Sequence, residues 1–384
     1  MDFELNDEQR QLADSLERML AQHYDMDARK RIIADPGVHG AAVWKQLAEL
    51  GILSIPLSEA AGGFGGGAVD LMQPMALLGR SLAVEPVNAH LSACVLLDRL
   101  ATAGDATPAR AAERELLAAC GQGSARLAWA RVDGSGDVGV DDPLRASGGG
   151  AGTTLSGTKV DVEGAAEADW LVVSTDDAVY LVPARTEGIT MRSSRLLDGR
   201  RSADVSFRAV RLPAAGAGAG GPIAGDAAAA IREALDFSAA LVCAEAMGVI
   251  DYACEATLEY LKTRKQFGVA IGNFQVLQHR IVDLYIELEQ VRSMSALACS
   301  RVDAARAGLV DAAARERSVA AARVLVARAT RKVAQEAVQM HGGMGMAEEM
   351  KISHAFRRLT VLGQQGESAS SFLDRFIASG AATA

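Results

Sequence analysis

The chain has 384 residues, 49% of them apolar, and a net charge of −9. That length buries a large core and predicts two or three domains. The acidic balance argues against nucleic acid or an anionic membrane as the main partner, so an anionic ligand must be met by local positive groups.

Residues Met1 to about Gly123 read as helical. Asn6 with Gln9 forms a capping box, and Leu12, Leu16, Met19 and Leu20 line one face behind it. A second helical pattern covers Ala41 to Leu50 and stops at Gly51. Ser58 to Gly67 is glycine-rich but lacks a Gly-Lys-Ser/Thr ending and a preceding strand, so a connecting loop fits better than a phosphate cradle. Helical patterns return over Leu71–Leu82, Leu91–Leu100 and Pro108–Ala119.

Near Ala125 the pattern changes. Ala128–Val132, Asp169–Val173, Ala178–Val182 and Ala203–Leu212 are short, β-branched and aromatic, separated by Gly, Pro, Asp and Ser. They predict a small β-barrel or sandwich. Ala214–Gly221 is low-complexity and reads as a mobile link. All nine prolines lie at or before Pro222. The stretch beyond it carries four long helical patterns: Ala227–Arg264, Phe274–Ala307, Asp311–His341 and an interrupted one over Glu348–Ala378. Four apolar-faced helices predict a bundle. The expected fold is mainly α with a central β domain, divided as 1–124, 125–222 and 223–384.

Cys94, Cys120, Cys243, Cys254 and Cys299 are scattered, without a Cys-x-x-Cys pair, and the six histidines show no metal-ligand spacing. Buried thiols in a reducing cytoplasm fit better than a disulfide frame or a zinc site. No signal-peptide pattern and no bilayer-length apolar run is read from the sequence, so a cytoplasmic protein without metal or membrane is expected.

One stretch stands out. Leu261 to Gln278 ends one helical pattern, turns at Gly268 and starts another, with Arg264 at the first helix end. An arginine there suits a phosphate or carboxylate, and equally a plain helix C-terminus. Arg264-x-x-Phe267-Gly268, then Phe274-Gln275, then Gln339-Met-His-Gly342-Gly343-Met-Gly345 resemble the acyl-CoA dehydrogenase family in order, distance and helical setting. The resemblance runs through nearly the whole chain, is strongest after about Ile231, and looks closest to the small subunits of heteromeric members of the pimeloyl-CoA and steroid side-chain type.

The resemblance implies an N-terminal helical domain, a small β-barrel and a C-terminal four-helix bundle. It implies FAD as cofactor, acyl-CoA as substrate, an electron-transfer flavoprotein as acceptor, and a tetramer with itself or with a second acyl-CoA dehydrogenase chain. Family members remove the α proton of a thioester with a carboxylate while the β hydrogen leaves as hydride to the flavin. In the family the flavin lies at a subunit interface, its far end held by the neighbouring chain. The residues matching that in-trans set are Arg264, Phe267, Gln275, Gln339, Gly342 and Gly343. Glycines at 342 and 343 allow close backbone approach, and equally suit a helix C-cap after His341. His341 itself reads as a turn or core residue.

The other half of the resemblance is eroded. The family's ring-binding loop falls on Ala130–Asp137, where of its polar residues only Asp137 remains. Its following Gly-x-Lys turn survives as Leu155–Lys159, but no tryptophan or threonine follows; Trp129 and Trp170 read as core. The family's catalytic glutamate falls on Gly366, with Glu367 one place later, and an alternative base position on Ser238. Asp236 matches a position that contacts coenzyme A, but the arginine expected three places on is Ala239. Three readings follow: a half-site subunit serving a catalytic partner chain, a self-sufficient homotetramer with Glu367 as base, or a scaffold subunit binding neither flavin nor acyl-CoA. An Ala, Leu and Val face over Val319–Val338 fits either tetramer packing or an internal core.

Overall fold

The computed structural model describes residues 5–35, 40–102, 107–134, 142–148, 152–213 and 221–381. Asn6 accepts the Gln9 N–H (2.8 Å), and the Gln9 side chain accepts the Asn6 N–H (3.0 Å), so the expected capping box opens α1 (Asp7–His23). Then come α2 (Met26–Ala34), which periodicity did not reveal, α3 (Ala41–Glu49), α4 (Ala68–Ser81), α5 (Val87–Ala101) and α6 (Pro108–Gly121). The long helices are α7 (Ala227–Thr263), α8 (Gln275–Arg306) and α9 (Ala312–His341). The interrupted pattern resolves into α10 (Lys351–Leu362) and α11 (Ala369–Ala381).

Two compact units result, one of Met1–Ala34, Gly67–Val84 and Ala239–Ala384, the other of Asp35–Gly66 and Glu85–Ser238. Each gathers segments from more than one of the spans 1–124, 125–222 and 223–384.

In the second unit the strands form two sheets, not a closed barrel. One orders β1 (Leu127–Ala130), β5 (Trp170–Ser174), β6 (Val179–Pro183) and β9 (Gly221–Pro222). The other orders β2 (Val132–Asp133), β4 (Thr153–Glu163), β8 (Arg201–Leu212) and β7 (Ile189–Arg195), with β3 (Arg145–Gly148) also on β4. Side-chain alternation explains the layering. Ala128, Leu171, Val173 and Val182 share a core with Leu155, Val205, Phe207 and Val210 of the other sheet. Leu127, Trp129, Val172 and Leu181 face the opposite way, onto Ala93, Leu97, Leu117 and Ala234 of the helices. β1 is therefore buried on both faces and shows no alternation in its burial. Trp129 is core, as expected, with its indole N–H on the Ser174 hydroxyl (3.0 Å). Leu155–Lys159 is no turn: it lies within β4, where Gly157 (φ +126°) makes a bulge. The proposed link at Ala214–Gly221 falls, except for Gly221, outside the described residues.

In the first unit α4 crosses α7 at two glycines. A Cβ on Gly248 would sit 1.8 Å from the Ala76 carbonyl oxygen, and one on Gly79 2.2 Å from that of Glu245. Contrary to the sequence reading, α7 is apolar and long enough to cross a bilayer. Its most apolar window is 83% buried within the chain, which accounts for that composition. Val319, Ala322, Val326, Ala329, Val333 and Ala337 of α9 are buried core. An exposed apolar face lies on α8, where Val282, Tyr285, Ile286 and Met294 line a groove of about 650 Å³.

Candidate functional site

The end of α7 sets the first part of the site. Arg264 closes the helix with its N–H on the Tyr260 carbonyl (2.8 Å), and its own carbonyl accepts from Ile271 (2.9 Å). Between these bonds β10 (Lys265–Gln266) pairs with β11 (Val269–Ala270). The two-residue turn, Phe267 (φ +54°) and Gly268 (φ +81°), has positive φ at both positions, as a primed hairpin turn requires. Phe267 is 90% exposed at the tip, its ring edge-on to Phe274 (6.1 Å). Phe274 precedes α8, which puts Gln275 at its first turn, on the surface.

The end of α9 supplies the second part. Gln339 is exposed, and its carbonyl caps the Gly342 N–H. Gly342 takes φ +61°, ψ −145°, a backbone state close to glycine-only territory. His341 is buried; its Nδ1 donates to the Ala337 carbonyl (2.8 Å), and burial lowers its pKa. Its ring stacks on Tyr260 at 4.4 Å. This stack joins the two parts, because Tyr260 lies one turn before Arg264 and His341 directly before Gly342. Sequence reasoning assigned His341 to turn or core and overlooked Tyr260. The spacing of Tyr260 four residues before Arg264 was the available signal.

These residues fit a phosphate-bearing dinucleotide. Among the described residues the Arg264 guanidinium and the Gln275 and Gln339 side chains have no hydrogen-bond or ion-pair partner. A Cβ on Gly343 would meet nothing within 4 Å, and the residue has no left-handed φ. No contact within the described chain therefore calls for glycine at 343, in contrast to Gly345, whose Cβ would press on the Val338 carbonyl (2.8 Å).

The region of the expected base is built differently. Gly366 has φ +89°, a conformation that side-chain-bearing residues rarely adopt. Glu367 is turned toward α11, accepting from the Ser371 hydroxyl (2.8 Å) and pairing with Arg375 (3.3 Å). The preceding turn is fixed by two buried arginines. Arg323 donates to the carbonyls of Leu362 (3.2 Å) and Gln365 (2.9 Å), and Arg358 to the Gln365 side chain (3.2 Å). Arg358 in turn meets the fully buried Glu245 through two bonds of 2.8 Å. Sequence reasoning missed this pair, although Glu245 is the only charged residue in the apolar run Ala239–Ile250.

In the second unit, Ser238 at the alternative base position donates to Asn88 Oδ1 (3.3 Å). Asp236 is fully buried rather than presented on a surface. Asp137 lies outside the described residues. Before it, Asp133 pairs with the buried Lys159 (2.8 Å), which also donates to the Arg131 carbonyl (3.0 Å).

The five cysteines are free and buried. The fold does bring His90, Cys94 and Cys120 within 4.8 Å of one another, a grouping invisible in the spacing. His90 Nδ1 accepts the Leu127 N–H (3.1 Å), so in the neutral ring the proton sits on Nε2, the nitrogen facing Cys94 (3.6 Å). That tautomer opposes metal ligation, and burial lowers the His90 pKa to about 4. The glycine-rich loop is a connection: the Gly63, Gly65 and Gly66 amides bond Ser58, Leu57 and Ile55 carbonyls, leaving no cradle among them.

Comparison with known proteins agrees with this geometry. Residues 6–106 match the acyl-CoA dehydrogenase N-terminal domain and residues 227–364 the acyl-CoA dehydrogenase C-terminal domain. The chain belongs to the acyl-CoA dehydrogenase family. Acyl-CoA dehydrogenase IpdE2 of Mycobacterium tuberculosis is 27% identical over 371 residues, covering 96% of each chain. Among solved structures, the Tcur3481-Tcur3483 steroid ACAD is 26% identical with a TM-score of 0.83, covering 98% of this chain and 99% of that one. The FAD complex of PigA shares the fold at 23% identity and a TM-score of 0.83, covering all of both chains.

Proposed function

We propose that this chain is an FAD-dependent acyl-CoA dehydrogenase subunit that supplies the in-trans half of a flavin site to a second acyl-CoA dehydrogenase chain carrying the base. The observation that carries this reading is the outward, unpartnered state of Arg264, Gln275 and Gln339 beside the open Gly342-Gly343 backbone. It is supported by the absence of a carboxylate at both base positions, Gly366 and Ser238. Bound FAD would accept the hydride lost from the acyl Cβ. Arg264 would neutralise phosphate charge, Gln275 and Gln339 would donate amide hydrogen bonds, and Gly342-Gly343 would admit the cofactor close to the backbone. The partner chain would bind the acyl-CoA and abstract the α proton, with an electron-transfer flavoprotein as acceptor. A steroid-type acyl group is favoured by the steroid ACAD neighbour, and a heterotetramer in a reducing cytoplasm by the buried free thiols and divided site.

The test is a visible absorption spectrum of the chain purified alone and after co-expression with its partner. Flavin bands only in the co-expressed sample are expected. Stoichiometric flavin in the lone protein, bleached by an acyl-CoA, would overturn the half-site and favour Glu367 as base. A colourless but assembled complex would favour a scaffold.

A further inference from the structure

A cavity of about 180 Å³ in the first unit is lined by Glu17, Tyr24, Asp25, Arg80, Ser81 and Lys351, among others. Lys351 opens α10, and its ammonium lies 4.2 Å from the Tyr252 ring centroid. Among the described residues it has no hydrogen bond and no ion pair. Lys45, Lys159, Lys262 and Lys332 each hold a carboxylate partner. Lys351 is thus a partly buried amine without a counter-charge.

The groups around it disfavour the ammonium. Arg80 of α4 stands on the cavity wall, its own charge met by Asp251 and Glu255 of α7. Arg29 of α2 lies behind, donating to the Leu82 carbonyl (2.8 Å) and set against His354 Nδ1 of α10 (3.1 Å). Of the acidic groups, Asp25 accepts the Ala28 N–H (2.6 Å), and Glu17 of α1 makes no ion pair with Lys351. The Tyr252 ring face favours the cation weakly. Desolvation, with Arg80 and Arg29 behind it, outweighs the ring and lowers the amine to about 8.

We propose that Lys351 is an acyl-acceptor site, modified in place by short-chain acyl thioesters. Nζ attacks the thioester carbonyl carbon, the N–C bond forms as the C–S bond breaks, sulfur leaves as thiolate, and the surplus amine proton passes to water. At about 180 Å³ the cavity has room for an acetyl or propionyl group on the amine. The amide product removes a positive charge from beside Arg80 and Arg29. This inference needs only the amine and its cavity, so it stands apart from the flavin half-site.

The test treats the full-length protein with N,S-diacetylcysteamine, a small acetyl thioester, and follows each lysine by peptide mass spectrometry. At about pH 7.5 Lys351 is expected to acetylate roughly tenfold faster than the exposed Lys45, a larger neutral fraction being partly offset by weaker nucleophilicity. Its rate should level off near about pH 9, while that of free Nα-acetyl-lysine in the same tube climbs past about pH 10. A Lys351 rate equal to or below that of Lys45, or a Lys351 profile that still climbs past about pH 10, overturns the proposal.

Discussion

The ends of α7 and α9 contrast with the turn between α10 and α11. At the helix ends, the Arg264, Gln275 and Gln339 side chains face outward without partners in the described chain, near glycines that carry no side chain. At the turn, the Leu362 and Gln365 carbonyls, the Gln365 side chain and the Glu367 carboxylate are already engaged, by Arg323, Arg358, Ser371 and Arg375. A surface built for a ligand leaves bonding capacity open, whereas a surface built for its own fold closes it. The difference teaches that the turn around Gly366 and Glu367 has a structural use in this chain, because the surrounding network holds it.

The largest effect should come from breaking that network. Glu245→Ala leaves the buried Arg358 without its carboxylate and should cost about 3–5 kcal/mol in urea unfolding. A variant that unfolds like the wild type but loses turnover would instead make Glu245 part of the chemistry, and the contrast between the regions would collapse. Next, Arg264→Ala should weaken FAD retention by the co-expressed complex roughly 10- to 100-fold, with unfolding of the lone chain changed by less than about 0.5 kcal/mol. Unchanged flavin content would remove Arg264 from the site.

The adjacent glycines sharpen the comparison further. Gly342→Ala should destabilise the chain by about 1–2 kcal/mol because of its positive φ. Gly343→Ala should leave lone-chain stability within about 0.5 kcal/mol and still lower flavin retention. Equal destabilisation by both would mean the pair is only a helix cap.

A smaller effect is expected from pH. Burial holds the folded His341 pKa below its unfolded value, so the neutral ring stabilises the fold above the unfolded pKa, and that stability is lost as pH falls. Hydrogen-exchange protection factors at Tyr260–Arg264 and His341–Gly345, with the pH dependence of the intrinsic rate divided out, should therefore fall between about pH 7 and about pH 5, and His341→Gln should flatten the response. The smallest effect is Glu367→Gln. Its partly exposed ion pair with Arg375 should be worth less than about 1 kcal/mol, and turnover of the complex should not change. Abolished turnover with flavin still bound would restore Glu367 as base.

Much of this was legible from sequence. The Asn6 capping box, the long helical patterns after Pro222 and the Arg264 and Gln339 motifs all rest on local spacing, and local spacing is written directly into the chain. What sequence could not decide depends on residues distant in the chain. The choice of open sheets over a barrel rests on which strand faces share a core. The apparent Gly-x-Lys turn is a bulge because β4 pairs with β8 across it. Glu245 lies 113 residues from Arg358, and Lys351 meets Tyr252, Arg80 and Arg29 only once the helices pack. Helix caps and periodic faces are set by neighbours a few residues apart, so the sequence alone determined them. Burial, ion-pair partners and the orientation of Glu367 are set by packing between elements, so only the tertiary structure could decide them.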